Sequence, residues 1–198
     1  MTLAPGDPFC EAHGWMGHVF VHEAAHAVAA LDRGIPFRFV EIASPAEWSQ
    51  RLDSGGLTAG GVHMYEPTSE WVDPNPRYVA EMCVAGYLAE DAAFQHHLAN
   101  SWSGDAKMLG VALRGDSEAP ESRDEAMSAA VDRMGAPMAE ILQSTREWIV
   151  EAFPRIRAVA QGLSGQGIST LSKTLIEYNA GPWSLTYDEV VDIAAAAG

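Results

Sequence analysis

Lysine is almost missing from this 198-residue chain, which carries only Lys107 and Lys173. Lysine and arginine together number 12 against 27 acidic residues, so the net charge is −15 at pH 7. No basic stripe exists to neutralise phosphates, which excludes nucleic acid and anionic membrane surfaces as partners. Cysteine is equally scarce. Cys10 and Cys83 form no CxxC pair, so neither a disulfide framework nor a zinc ribbon can be built, and a reducing, cytoplasmic setting is expected. No apolar run approaches the 18 or so residues of a membrane span, and the start of the chain (MTLAPGDPFCEAHG) lacks the basic-then-apolar order of an export signal. A G-x-x-x-x-G-K-[ST] phosphate loop is also absent, as is any Gly-Lys dipeptide, so ATP is not an expected ligand.

Hydrophobic residues make up 47% of the chain, enough for one full core. The run Trp15 to Asp32 has few polar positions and stops at Gly34 and Pro36, which predicts a helix buried on most sides. Phe37 to Ile42 reads as a strand, and Gly60 to Tyr65 as a second one beyond a long polar loop. After Asp73-Pro74-Asn75-Pro76, apolar residues recur at helical spacing from Arg77 to His96. Ser103 is placed to cap a helix through Leu113, and Gly115 to Ser122 reads as a linker. Two further helical stretches are divided by Gly135-Ala136-Pro137, the second with a kink expected at Pro154. The fold class is therefore mainly α with a small β-sheet (α+β).

His22-Glu23-Ala24-Ala25-His26 matches H-E-x-x-H inside the first helix. Residues four apart on a helix share a face, so His22 and His26 can grip one metal ion while Glu23 reaches a water on it. In a chain of this composition, chance produces the pattern about 0.02 times. Read instead as core histidines, the pair would leave Glu23 buried on an apolar helix with no partner for its charge. A catalytic zinc takes a third protein ligand, for which Glu90, Asp91, His96, His97 and Asp105 are candidates. His18, one turn earlier, is expected to face solvent at the cleft rim.

HEAAHAVAA resembles the HEAGHA segment of the FtsH-type (M41) zinc metallopeptidases, and the similarity continues in order along the chain. Arg38 to Ser44 with Leu57 to His63 is similar to that family's strand, loop and glycine-containing edge strand. Val84 to Asp91 (VAGYLAED) looks like its GGRAAEE helix, and Ser169-Thr170-Leu171 looks like the close of its peptidase domain. Ser103-Gly104-Asp105 falls where the family places the aspartate of its metal site, so the resemblance implies Asp105 as third ligand, with Glu90 or Asp91 as alternatives. Ala25 and Tyr87 depart from the family's usual glycine and arginine, and the surroundings of Asp105 are not close to GAxxDL.

The resemblance implies an FtsH-like peptidase domain over residues 15–180, between an extension at 1–14 and a tail at 181–198, standing alone without the family's ATPase. It implies zinc as cofactor, His22, His26 and Asp105 as ligands, Glu23 as catalytic base, and short or unfolded polypeptides as substrates. Gly60 to Met64 would be an edge strand on which a peptide could add, with His63 read as a surface histidine and Trp102 as either a wall of the site or a core residue. Two other classes compete with a peptidase. One is a regulatory or interaction module that keeps metal for structure, and the other is a non-hydrolytic iron enzyme, since two His and one Asp also make a facial triad. The role of the tail and the oligomeric state stay open.

Overall fold

The computed structural model describes residues 3, 15–44, 47, 50, 59–65, 76–98, 105, 138–165 and 183–198. The expected helix from Ser103 apart from Asp105, the linker after it, the stretch before Gly135, Trp102 and the Ser169-Thr170-Leu171 segment lie outside them. Among the described residues the elements run α1 (Trp15–Asp32), β1 (Phe37–Ile42), β2 (Gly60–Met64), α2 (Pro76–Phe94), α3 (Met138–Leu163), β3 (Trp183–Thr186) and α4 (Tyr187–Ala197). The α+β class is thus observed as four helices and one small antiparallel sheet. None of these helices is long and apolar enough to cross a membrane.

α1 is the central element, and every residue from Met16 to Ala30 is buried. Small residues at Ala24, Ala25, Ala27, Ala29 and Ala30 allow close approach on several sides, and both α2 and α3 pack against it and against each other. α3 is amphipathic instead, burying Ile141, Thr145, Ile149, Ala152, Ile156, Val159 and Leu163 at helical spacing. Pro154 lies within it on the exposed side, where water can take up the carbonyl of the solvent-exposed Val150 that the proline ring cannot serve. The end of α1 is tied to α3 through Asp32, which accepts from both guanidinium nitrogens of Arg155 at 2.7 Å and from the Trp148 indole at 2.8 Å.

The sheet order is β2-β1-β3, with both outer strands antiparallel to β1. A register shift between Phe37 and Phe39 explains why β1 buries Phe37, Val40 and Ile42 rather than alternate residues. The sequence already hints at the bulge, because its alternation breaks where Phe39 and Val40 adjoin. The segment after Gly181, whose role the sequence left open, supplies β3 and then α4, capped by a reciprocal Thr186 and Glu189 pair. α4 packs on α3. α2 stops at Phe94, short of the expected His96, because Gln95 turns into the left-handed region at φ 65°.

Candidate metal centre

Two stripes of residues spaced by four meet across the α1–α2 interface. On α1 they are His18, His22 and His26, and on α2 they are Met82, Gly86, Glu90 and Phe94. The helices run in opposite directions, so His26 lies level with Met82, His22 with Gly86 and Glu90, and His18 with Glu90 and Phe94. All three histidines are buried.

Each H-E-x-x-H imidazole is oriented from behind. His26 Nδ1 lies 2.7 Å from the carbonyl oxygen of Met82, and His22 Nδ1 lies 2.6 Å from Oε1 of Glu90. A carbonyl only accepts, as does an ionised carboxylate, so both Nδ1 atoms carry protons and both Nε2 lone pairs point forward. Those two Nε2 atoms are 2.9 Å apart. Asp105 faces them, with Oδ2 at 3.1 Å from His22 Nε2 and Oδ1 at 3.2 Å from His26 Nε2. Donor atoms of all three residues lie within 4.8 Å of one another.

This arrangement fits a cation on three counts. Oδ2 of Asp105 is buried without a hydrogen-bond partner among the described residues. Two imidazole lone pairs and a carboxylate converge, a set of donors stable only around a proton or a metal ion. A cradle is also kept clear, because a Cβ on Gly86 would lie 2.6 Å from the Nε2 atoms of both histidines. The electrostatics agree. Burial disfavours charge on His22 and His26, but the Asp105 carboxylate outweighs it and holds both imidazoles above their ordinary value. Burial likewise opposes ionisation of Asp105, and the two imidazoles overcome it, holding that carboxyl well below its usual range.

Glu23 stands outside the donor set. Its Cγ is close to β2, where a Cβ on Gly60 would lie 2.8 Å from it and 2.7 Å from the carbonyl oxygen of Glu41. Gly60 is therefore the residue that lets the edge strand lie beside the H-E-x-x-H glutamate. Burial raises the Glu23 carboxyl above its ordinary value, with His22 and His26 pulling the other way. A buried carboxyl whose pKa is raised holds a proton more readily than a free one.

The structure brings together His22, His26, Glu23 and Asp105 as the sequence grouped them. Glu90 and the neighbouring candidates fall into other places. Glu90 sits behind His22 with its oxygens held by His18, His22 and the Leu98 amide, and although burial works against its charge, the two histidine hydrogen bonds bring its pKa down to about 2. Asp91 pairs with His97 at 2.8 Å, and the ring of His96 lies tilted against His18 at 4.9 Å between centroids. Expected at a solvent-facing rim, His18 is instead 1% exposed, because it hydrogen-bonds Glu90 and packs on Phe94. His63 is exposed as expected and stacks on Phe39 at 4.2 Å. The Cys83 thiol is buried, and burial with the nearby Asp105 charge pushes its pKa far above the ordinary range, so it is an inert core residue. Sequence reasoning missed the Met82 carbonyl, for which a sequence carries no signal. It also missed the part of Gly86, which the stripe Met82, Gly86, Glu90 and Phe94 could have revealed. No protein-family model matches the chain, and a comparison with characterised proteins finds no relative.

Proposed function

We propose that this chain is a zinc-dependent metallopeptidase of FtsH-like type that cleaves short or unfolded polypeptides without ATP. The observation that carries the reading is the convergence of His22 Nε2, His26 Nε2 and the Asp105 carboxylate, whose Oδ2 has no hydrogen-bond partner among the described residues, against Gly86, with Glu23 outside the donor set. His22, His26 and Asp105 would hold the zinc. When bound, zinc supplies Lewis acidity, making a water acidic enough to attack at neutral pH and polarising a peptide carbonyl.

The remaining work falls to the protein. The Glu23 carboxylate takes a proton from the attacking water and hands it to the departing amine nitrogen, completing cleavage of the C–N bond. Glu90 and the Met82 carbonyl keep His22 and His26 in the one tautomer that leaves Nε2 free. β2 lies at an edge of the described sheet beside Glu23, so a peptide added along Gly60–Met64 in extended form would pass the site.

A site kept only for structure has no use for a buried glutamate next to its ligands, which favours hydrolysis over a purely regulatory module. Treatment of the purified chain with a chelator should abolish cleavage of an unstructured fluorogenic peptide, and one equivalent of zinc should restore it. ATP should change neither rate. Restoration by ferrous iron and not by zinc would overturn the assignment in favour of the iron reading.

A further inference from the structure

His18 has no part in the H-E-x-x-H chemistry, yet it is the third rung of the histidine stripe and is as deeply buried as its neighbours. Its Nδ1 lies 2.7 Å from Oε2 of Glu90, the partner of the oxygen that receives His22. One carboxylate thus bridges two histidines one helical turn apart. The Leu98 amide donates to the same Oε2 at 3.0 Å. The ring of His18 is itself fixed on two sides, by Phe94 at 4.4 Å and His96 at 4.9 Å between centroids.

The torsion that sets the plane of a glutamate carboxylate is broad and poorly restrained by its own side chain. Without His18, Oε2 would keep only the Leu98 amide at 3.0 Å, a longer contact than the 2.7 Å to His18 Nδ1, and the Glu90 carboxylate could turn about that bond and carry the His22 contact with it. Donors at both oxygens remove the freedom. We infer that His18 is a positioning residue of the metal centre, donating to Oε2 of Glu90 so that Oε1 stays fixed on Nδ1 of His22. The inference rests on the metal reading above and adds to the short motif a residue four positions before it.

The side-chain amide nitrogen of asparagine sits where Nδ1 of histidine does, one bond from Cγ, whereas glutamine carries the same amide one carbon further out. His18→Asn and His18→Gln therefore compare two polar, uncharged replacements that differ in where the donor lies. Zinc affinity of the purified full-length chain, measured by competition with a chromophoric chelator, should stay within about twofold in His18→Asn and fall about tenfold in His18→Gln. The visible absorption of the cobalt-substituted protein should be preserved in the first variant and altered in the second. Equal affinities in the two variants, whether both native or both weakened, would overturn the positioning role. Failure of the unsubstituted chain to bind zinc at all would instead overturn the metal reading, so the two outcomes are distinct.

Discussion

Gly86 of α2 stands directly against His26 of α1, so close that a single methyl group on it would lie 2.6 Å from the imidazole Nε2. The same methyl would meet His22 Nε2 at 2.6 Å, which puts it against both imidazoles. The glycine is thus required by the site and not by its backbone, which is helical.

Gly86→Ala should consequently leave the fold largely intact while removing zinc binding. Alanine favours a helix interior over glycine by about 1 kcal/mol, so the metal-free protein has some compensation for the displaced imidazoles. Circular dichroism with metal analysis on one sample checks this, the expected outcome being a native helical spectrum with zinc well below one equivalent.

Glu90 links the site to stability at low pH. Its folded pKa of about 2 lies below the value of 4.5 for a free glutamate. The unfolded chain therefore binds a proton first as pH falls. The stabilisation from this group is complete above about pH 4.5 and is lost between there and pH 2, on the order of 3 kcal/mol in all. Glu90→Gln should flatten the acid limb of the stability profile in that window, and denaturant titrations of the metal-free proteins between pH 5 and 2 would show it. An equally steep limb in the variant would remove Glu90 from the account.

Asp32 provides a contrast remote from the candidate metal centre. It sits at the C-terminal end of α1, where the helix dipole disfavours a negative charge, and is held by Arg155 and Trp148. Asp32→Ala should cost about 1–3 kcal/mol through loss of these charge-assisted bonds. Zinc affinity should be unchanged. Thermal unfolding read alongside zinc titration separates the two effects.

The parts of this molecule legible in the sequence are those written in local pattern. α1 announces itself through an unbroken buried run, and His22, Glu23 and His26 through fixed spacing on one helix. Asp105 was reachable only through a resemblance in the order of segments, because the contact joins residues about 80 positions apart and no local rule encodes it. His18 shows why burial was misjudged. Its surroundings are the far end of α2, Phe94 and Glu90, and a histidine near a helix start reads as exposed until that partner helix is placed. The end of α2 was misplaced for the opposite reason, since Gln95 adopts a positive φ that its residue type does not advertise.

The most direct measurement is the turnover of an unstructured peptide by zinc-loaded Glu23→Gln beside the unsubstituted chain, with bound zinc determined in the same samples. Glu23 lies outside the ligand set, so both proteins should hold one zinc, and the variant should lose nearly all cleavage. Undiminished cleavage by Glu23→Gln, or no cleavage by the zinc-loaded unsubstituted chain, would contradict the assignment.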